Sequence, residues 1–343
     1  MPVAPVDNHG THLYFEDTGR EHLGEQYLTI VAVHGTGFNC AIFERMLPFA
    51  ASCSLRLVLV NRRDYRGSSP LSADDVELLT STDDAKRLEY FRRRAFEFCE
   101  FLAWFVQENG IPPNTTTRDG HVEGGIVVLG WSSAYTTLVG MLAFADRVPE
   151  ATRRKLEPYL RAFVLHDVPL SLFGFDVPPL YHPLRDPTLD YSEGYKKFTS
   201  WVSSYFAHPD IWSGDVKTLA DQPIEGSPTT LGSMTQEERD HVLQMDTNQA
   251  EGHVFSMPPA IYLGLTERML DKSTGDVWPR CKVKLLWSEQ SVWEILAGAW
   301  QMKKLYERKC AKGTAGRVLE LASQVHWDKP QLLCQALASE LSK

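Results

Sequence analysis

The chain has 343 residues, 43% of them hydrophobic and 23% charged, enough to build one large core or a core with an inserted cap. Its 35 Lys and Arg stand against 44 Asp and Glu, and the resulting net charge of -9 disfavours a phosphate-backbone partner, so no nucleic-acid function is expected. No apolar run approaches the roughly 20 residues that span a bilayer, and the N-terminus lacks a basic region followed by an apolar one, so the expectation is no membrane span and a cytoplasmic location.

Residues 27–33 form an apolar, β-branched run that ends at His34-Gly35-Thr36-Gly37, and residues 55–60 form a second that ends at Asn61-Arg62-Arg63-Asp64. Both predict buried strands stopped by loop signals. Over 83–110 the spacing predicts a helix with Phe91, Ala95, Phe98, Leu102 and Phe105 on one face. An apolar strand then runs from Glu123 into Gly130-Trp131-Ser132-Ser133-Ala134, followed by a helix of about four turns to Arg147. The next strand, 160–165, ends at His166-Asp167-Val168-Pro169. Strands alternating with helices imply a mostly parallel sheet flanked by helices, with active residues at the strands' C-terminal ends.

From 170 to 276 the alternation breaks. Prolines stand at 178, 179, 183 and 187, and aromatic helical segments such as 195–206 appear with no strand between them. The segment reads as an inserted helical cap, with Trp201, Tyr205, Phe206 and Trp212 spaced like one or two helix faces, some of them core, and a cap over a serine site needs an apolar inner wall. The core is then 1–169 and 277–343. Alternation resumes with a strand over 283–287, a helix over 293–309, a strand over 317–321, a loop over 322–327 and a final helix from near Pro330.

The segment around Ser132 carries the most chemistry. An apolar strand entering a tight turn and then a helix holds one hydroxyl exposed where a base can reach it, and small residues at Gly130 and Ala134 let the helix pack closely on the strand. The plainer reading is a helix N-terminus at which Ser132 and Ser133 cap backbone N–H groups. Acyl transfer also needs a base, an acid to orient it and two N–H donors for the oxyanion. His326, in the loop after the last predicted strand, is the expected base, with His166 and His253 as competitors. The backbone N–H groups of Thr36 and Ser133 are the expected oxyanion donors. His34 and Gly35 are expected to shape their loop, and Trp131 to pack in the core.

The His34-Gly35-Thr36-Gly37 loop, the Asp64-Tyr65-Arg66-Gly67-Ser68-Ser69 stretch, the Ser132 turn, the cap and the late His326 together resemble the α/β-hydrolase superfamily over nearly the whole chain. The resemblance implies an α/β-hydrolase fold. Family members usually carry their catalytic Asp at the end of a Gly-x-x-Asp turn after the strand matching 283–287, but here that turn is Ser288-Glu289-Gln290-Ser291, with Ser291 at the acid's position. The stretches Ser132-Ser133-Ala134 and Val164-Leu165-His166-Asp167-Val168-Pro169 are similar to zearalenone lactonases, where a glutamate in the matching His-Glu-Val-Pro turn serves as the acid. That likeness implies Asp167 as the triad acid, with Glu294 or Glu289 as alternatives.

The expected activity is therefore a serine hydrolase opening a carboxylic ester or lactone, a macrocyclic resorcylic lactone such as zearalenone being the sharpest substrate that the resemblance implies. The alternatives are a C–C bond hydrolase on the same scaffold and a ligand-binding protein with a degenerate triad. Neither a cofactor nor a metal is expected. Cys40, Cys53, Cys99, Cys281, Cys310 and Cys334 show no CxxC or finger-like spacing, and most should be reduced and buried. Asn114-Thr115-Thr116 matches a glycosylation sequon but reads as a polar loop. The expected partner is a small apolar ester or lactone, and a homodimer is left open.

Overall fold

The computed structural model describes residues 2–324 and 328–341, the side chains at 191, 248, 249, 323, 324 and 340 excepted. Its main sheet has eight strands: β1 (Val3–Pro5), β2 (His12–Asp17), β3 (Leu28–Val33), β4 (Leu55–Val60), β5 (Ile126–Trp131), β6 (Leu160–His166), β7 (Lys282–Ser288) and β8 (Leu319–Gln324). In space they run β1-β2-β4-β3-β5-β6-β7-β8. All pairings from β4 to β8 are parallel, and β2 runs antiparallel to both β1 and β4. Every residue of β3, β4 and β6 is buried, as continuous apolar runs require in a sheet covered on both faces.

Side chains alternate between two cores, as the strand period of two dictates. Val31, Val33, Val58, Val60, Val128 and Phe163 face one side. Helices α2 (Asp84–Asn109), α3 (Tyr135–Ala143), α6 (Pro259–Met269) and α7 (Trp293–Ala311) supply that core. Ile30, Ala32, Leu57, Leu59, Leu129 and Val164 face the other, under Phe43, Met46 and helix α8 (Pro330–Leu341). The predicted face of α2 is buried in full, and the helix is capped by Asp83 at its start and by left-handed Gly110 at its end.

Three features depart from the sequence expectation. The β1–β2 pair and helix α1 (Ala73–Thr80) carried no recognised signal, because β2 buries little besides Leu13 and Phe15 and α1 is a short, mostly exposed helix. The last strand starts and ends later than predicted, running through Gln324. Arg317, expected to begin it, is instead a buried anchor that donates to the carbonyls of Thr274 and Val277.

Between β6 and β7 lie helices α4 (Tyr191–Val202) and α5 (Asn248–Phe255), α6 and shorter turns; no strand is found there among the described residues. Trp201 and Phe206 are buried against each other with ring centroids 5.8 Å apart. Trp212 lies in a loop beyond α4, 67% exposed and edge-on to Trp287, not on a helix face as its spacing suggested. Asn114 is buried and its amide donates to the Leu160 carbonyl.

Candidate active site

Ser132 follows the last residue of β5 and has φ +54, the left-handed region that L-residues avoid at a cost of about 1 kcal/mol or more. The chain then enters a 3-10 turn over Ser132–Ala134 and helix α3. Close packing explains the small residues around it. A Cβ on Gly130 would meet Leu138 of α3 at 2.8 Å, and Ala134 is fully buried. A Cβ on Gly35 would lie 3.0 Å from Cβ of Ser132, so the loop after β3 passes directly beside the serine.

Asp167 stands one residue past β6, also left-handed at φ +46. Its Oδ1 accepts the backbone N–H of Ser288 at 2.7 Å and its Oδ2 accepts the Ser288 hydroxyl at 3.0 Å. The Asp167 N–H in turn donates to the Leu286 carbonyl at 2.9 Å. The carboxylate thus reaches across to the end of β7, the strand whose following turn lacks an aspartate. His166 lies beside it, with Nε2 3.7 Å from Asp167 Oδ2. Its ring is buried, and its Nδ1 has no hydrogen-bond partner among the described residues.

Ser132, His166 and Asp167 line one cavity. Apolar walls come from Phe38, Ile42, Trp131, Val202, Leu231 and Ile295, and hydroxyls from Ser203, Thr230 and Ser291. Trp131 packs on Phe38 at 5.1 Å between ring centroids while also forming part of this wall. His326 falls outside the described residues. Asp328, two positions further on, accepts a hydrogen bond from the cavity residue Thr230 at 2.9 Å. His253 is exposed on α5 and borders a different hollow.

Glu294 is buried at the start of α7 but is not among the residues lining this cavity. Its carboxylate pairs with Arg185 at 2.8 Å and His182 at 3.3 Å and accepts the Ser171 N–H at 3.2 Å. Burial disfavours its charge, yet His182 and Arg185 outweigh that and hold its pKa well below the ordinary carboxylate range. Glu289 is exposed.

The two expected oxyanion residues lie together. The hydroxyls of Thr36 and Ser133 are 2.7 Å apart, and both residues are buried. His34, with no exposed surface, has Nδ1 2.9 Å from the Gly35 carbonyl and Nε2 3.2 Å from the Arg62 backbone nitrogen. A carbonyl can only accept and an amide N–H can only donate, so His34 is the neutral tautomer protonated on Nδ1. Burial and the Arg62 charge push its pKa well below that of a free imidazole. The loop is fixed from behind by Arg62 and Tyr65 after β4 and by Glu251 on α5. Arg62 and Tyr65 fall within a loop stretch legible in the sequence, but Glu251 is 186 residues beyond Tyr65 and lies in no motif.

Among the described residues no group of three or more His, Cys, Asp or Glu side chains is arranged to hold a metal ion. No helix of the described residues is long and apolar enough to cross a membrane. All six cysteines are free, and Cys40, Cys99, Cys281 and Cys334 are buried.

No protein-family profile matches the sequence, and no curated protein is significantly similar to it. Solved structures do resemble it over nearly their whole length. Est816, described as an N-acyl homoserine lactone degrading enzyme, is 12% identical with a TM-score of 0.51, the match covering 99% of this chain and 98% of that one. A putative ancestral haloalkane dehalogenase is 12% identical with a TM-score of 0.48, covering 99% and 98%. A carboxylesterase structure from the ammonia-oxidizing thaumarchaeon Nitrososphaera gargenis is 12% identical with a TM-score of 0.46, covering 99% and 97%. The likeness to the first of these, with the strand order and the serine turn between β5 and α3, identifies the architecture as the α/β-hydrolase fold.

Proposed function

We propose that the protein is a hydrolase of carboxylic esters or lactones that works through an acyl-enzyme on Ser132. The observation that carries this reading is a strained serine on a strand-to-helix turn sharing one cavity with a carboxylate held by two hydrogen bonds. In this account His326 takes the proton of Ser132 as Oγ attacks the substrate carbonyl carbon, and Asp167 orients His326. The N–H groups of Thr36 and Ser133 hold the tetrahedral oxyanion. The carbon–oxygen bond to the leaving group breaks, the leaving oxygen receives the proton from His326, and water releases the acid by the same steps in reverse order. For a lactone the leaving hydroxyl stays on the acyl chain, and the product is a hydroxy acid.

The segment 170–276 acts as a cap in this reading, since Val202, Ser203, Thr230 and Leu231 from it close the cavity over Ser132. Apolar walls with a few hydroxyls suit a bulky, largely hydrophobic substrate whose few polar groups need partners. The lactone-degrading activity named for Est816 and the likeness of the Asp167 turn to zearalenone lactonases favour a lactone, a macrocyclic resorcylic lactone first. The test is turnover of a panel of aryl esters, acyl homoserine lactones and zearalenone by wild type and Ser132→Ala. Hydrolysis of at least one class that disappears in the variant supports the reading. A panel left intact by the wild type, or hydrolysis that survives in Ser132→Ala, would overturn it.

A further inference from the structure

Glu251 is a carboxylate with 4% of its surface exposed, brought by α5 to the back of the loop after β3. Each of its oxygens is engaged. Oε2 lies 2.5 Å from the Thr36 hydroxyl, and Oε1 lies 2.7 Å from Arg62 Nη2 and accepts the Tyr65 hydroxyl at 3.0 Å. Thr36 has one hydroxyl proton and two neighbours, Glu251 and Ser133. A carboxylate can only accept, so the Thr36 proton goes to Glu251 and the Ser133 hydroxyl supplies the proton of the other bond. The Tyr65 oxygen accepts the backbone N–H of Gly37 at 3.3 Å, and Arg62 Nη2 reaches the Ser133 hydroxyl at 3.4 Å. One carboxylate therefore ties together Thr36, Gly37 and Ser133.

Taking a carboxylate out of water is costly, and a merely structural contact between α5 and the core could be made by apolar side chains. What this arrangement supplies in addition is a fixed direction for the residues on either side of the oxyanion position. Oxyanion stabilisation depends on donors held in place before charge develops. We propose that Glu251 is a positioning residue for the oxyanion hole, so that acyl transfer depends on α5 being docked against the loop after β3. The inference rests on the hydrolase reading above and deepens it, because it makes one helix of the cap segment part of the apparatus that sets the rate.

The test compares wild type, Thr36→Val, Thr36→Ser and Glu251→Gln on a hydrolysed aryl ester, with Tm measured for each. Thr36→Val keeps the backbone N–H and the side-chain shape but cuts the link to Glu251. Its kcat should fall by about tenfold or more, as loss of oxyanion preorganisation does, with KM within about twofold. Thr36→Ser, which restores the hydroxyl, should recover most of that loss. Glu251→Gln should also lose kcat at nearly constant KM, and its Tm should fall because Arg62 loses its partner. Thr36→Val with wild-type kcat, whatever its Tm, would overturn the positioning role and leave the hydrolase reading intact. A folded wild type that hydrolyses nothing and takes no fluorophosphonate on Ser132 would overturn both.

Discussion

Asp167 accepts two hydrogen bonds from Ser288, one from its backbone N–H at 2.7 Å and one from its hydroxyl at 3.0 Å, so a carboxylate rooted on β6 is fixed to the end of β7. The two strands are neighbours in parallel register, with His166 paired to Leu286, which places Asp167 and Ser288 side by side at the same edge of the sheet. Ser288, the last residue of β7, thus binds the carboxylate that the neighbouring strand provides, three positions before Ser291 in the turn that lacks an aspartate. If Asp167 is the triad acid, Asp167→Asn keeps its size while removing the charge that holds the histidine tautomer. Steady-state kcat should fall by about 10⁴-fold, the scale for losing a triad carboxylate. Turnover near the wild-type rate would remove Asp167 from the triad.

Glu294 gives the contrasting expectation. Its carboxylate belongs to a buried cluster with His182 and Arg185 rather than to the cavity around Ser132. Glu294→Gln should destabilise the fold by about 1–3 kcal/mol, because the exposed Arg185 loses its charged partner and the buried His182 and Ser171 N–H keep only an amide acceptor. Urea unfolding should show the loss, while kcat of the folded fraction stays within about threefold of wild type.

His34 should make the fold acid-sensitive. Its folded pKa lies well below the value of about 6.5 expected when unfolded, so between those two values the unfolded chain binds the extra proton. The stability that His34 contributes is therefore complete above pH 6.5 and declines as pH falls below it, by about 1.4 kcal/mol per pH unit. Protonating Nε2 would also break the bond from the Arg62 N–H. Urea melts at pH 7.5 and 5.5 should show a steeper loss for wild type than for His34→Gln, and equal slopes would contradict this.

Gly35 leaves little room for a side chain. An added methyl would sit 3.0 Å from Ser132 Cβ and 3.3 Å from the Trp131 carbonyl oxygen, so either the serine or the loop after β3 must shift. Gly35→Ala is expected to lower kcat by about tenfold or more, since small displacements in a preorganised site are expensive. Its circular dichroism spectrum should be that of the wild type.

What could be read from the sequence divides along physical lines. Continuous β-branched runs such as Leu28–Val33 and Leu55–Val60 announce buried parallel strands without reference to any other part of the chain. The turn at Ser132 is equally local, because Gly130, Ser132 and Ala134 answer steric demands within five residues. β2 was hidden because its half-exposed sequence, His-Leu-Tyr-Phe-Glu-Asp, mixes apolar and polar residues at an edge of the parallel array. Trp212 shares the helical spacing of its neighbours yet lies in an exposed loop, because aromatic spacing alone cannot tell a helix face from a loop that returns to solvent. The partnerships of Asp167 with Ser288 and of Thr36 with Glu251 join distant segments, and only the fold brings them into contact.

The most direct test of the central claim is intact-mass analysis after exposure to a fluorophosphonate, comparing wild type with Ser132→Ala. Such a reagent traps a serine only when a base and an oxyanion site activate it. The account predicts a single adduct on the wild type and none on the variant. An unmodified wild type in the folded state, or an adduct that persists in Ser132→Ala, would contradict it.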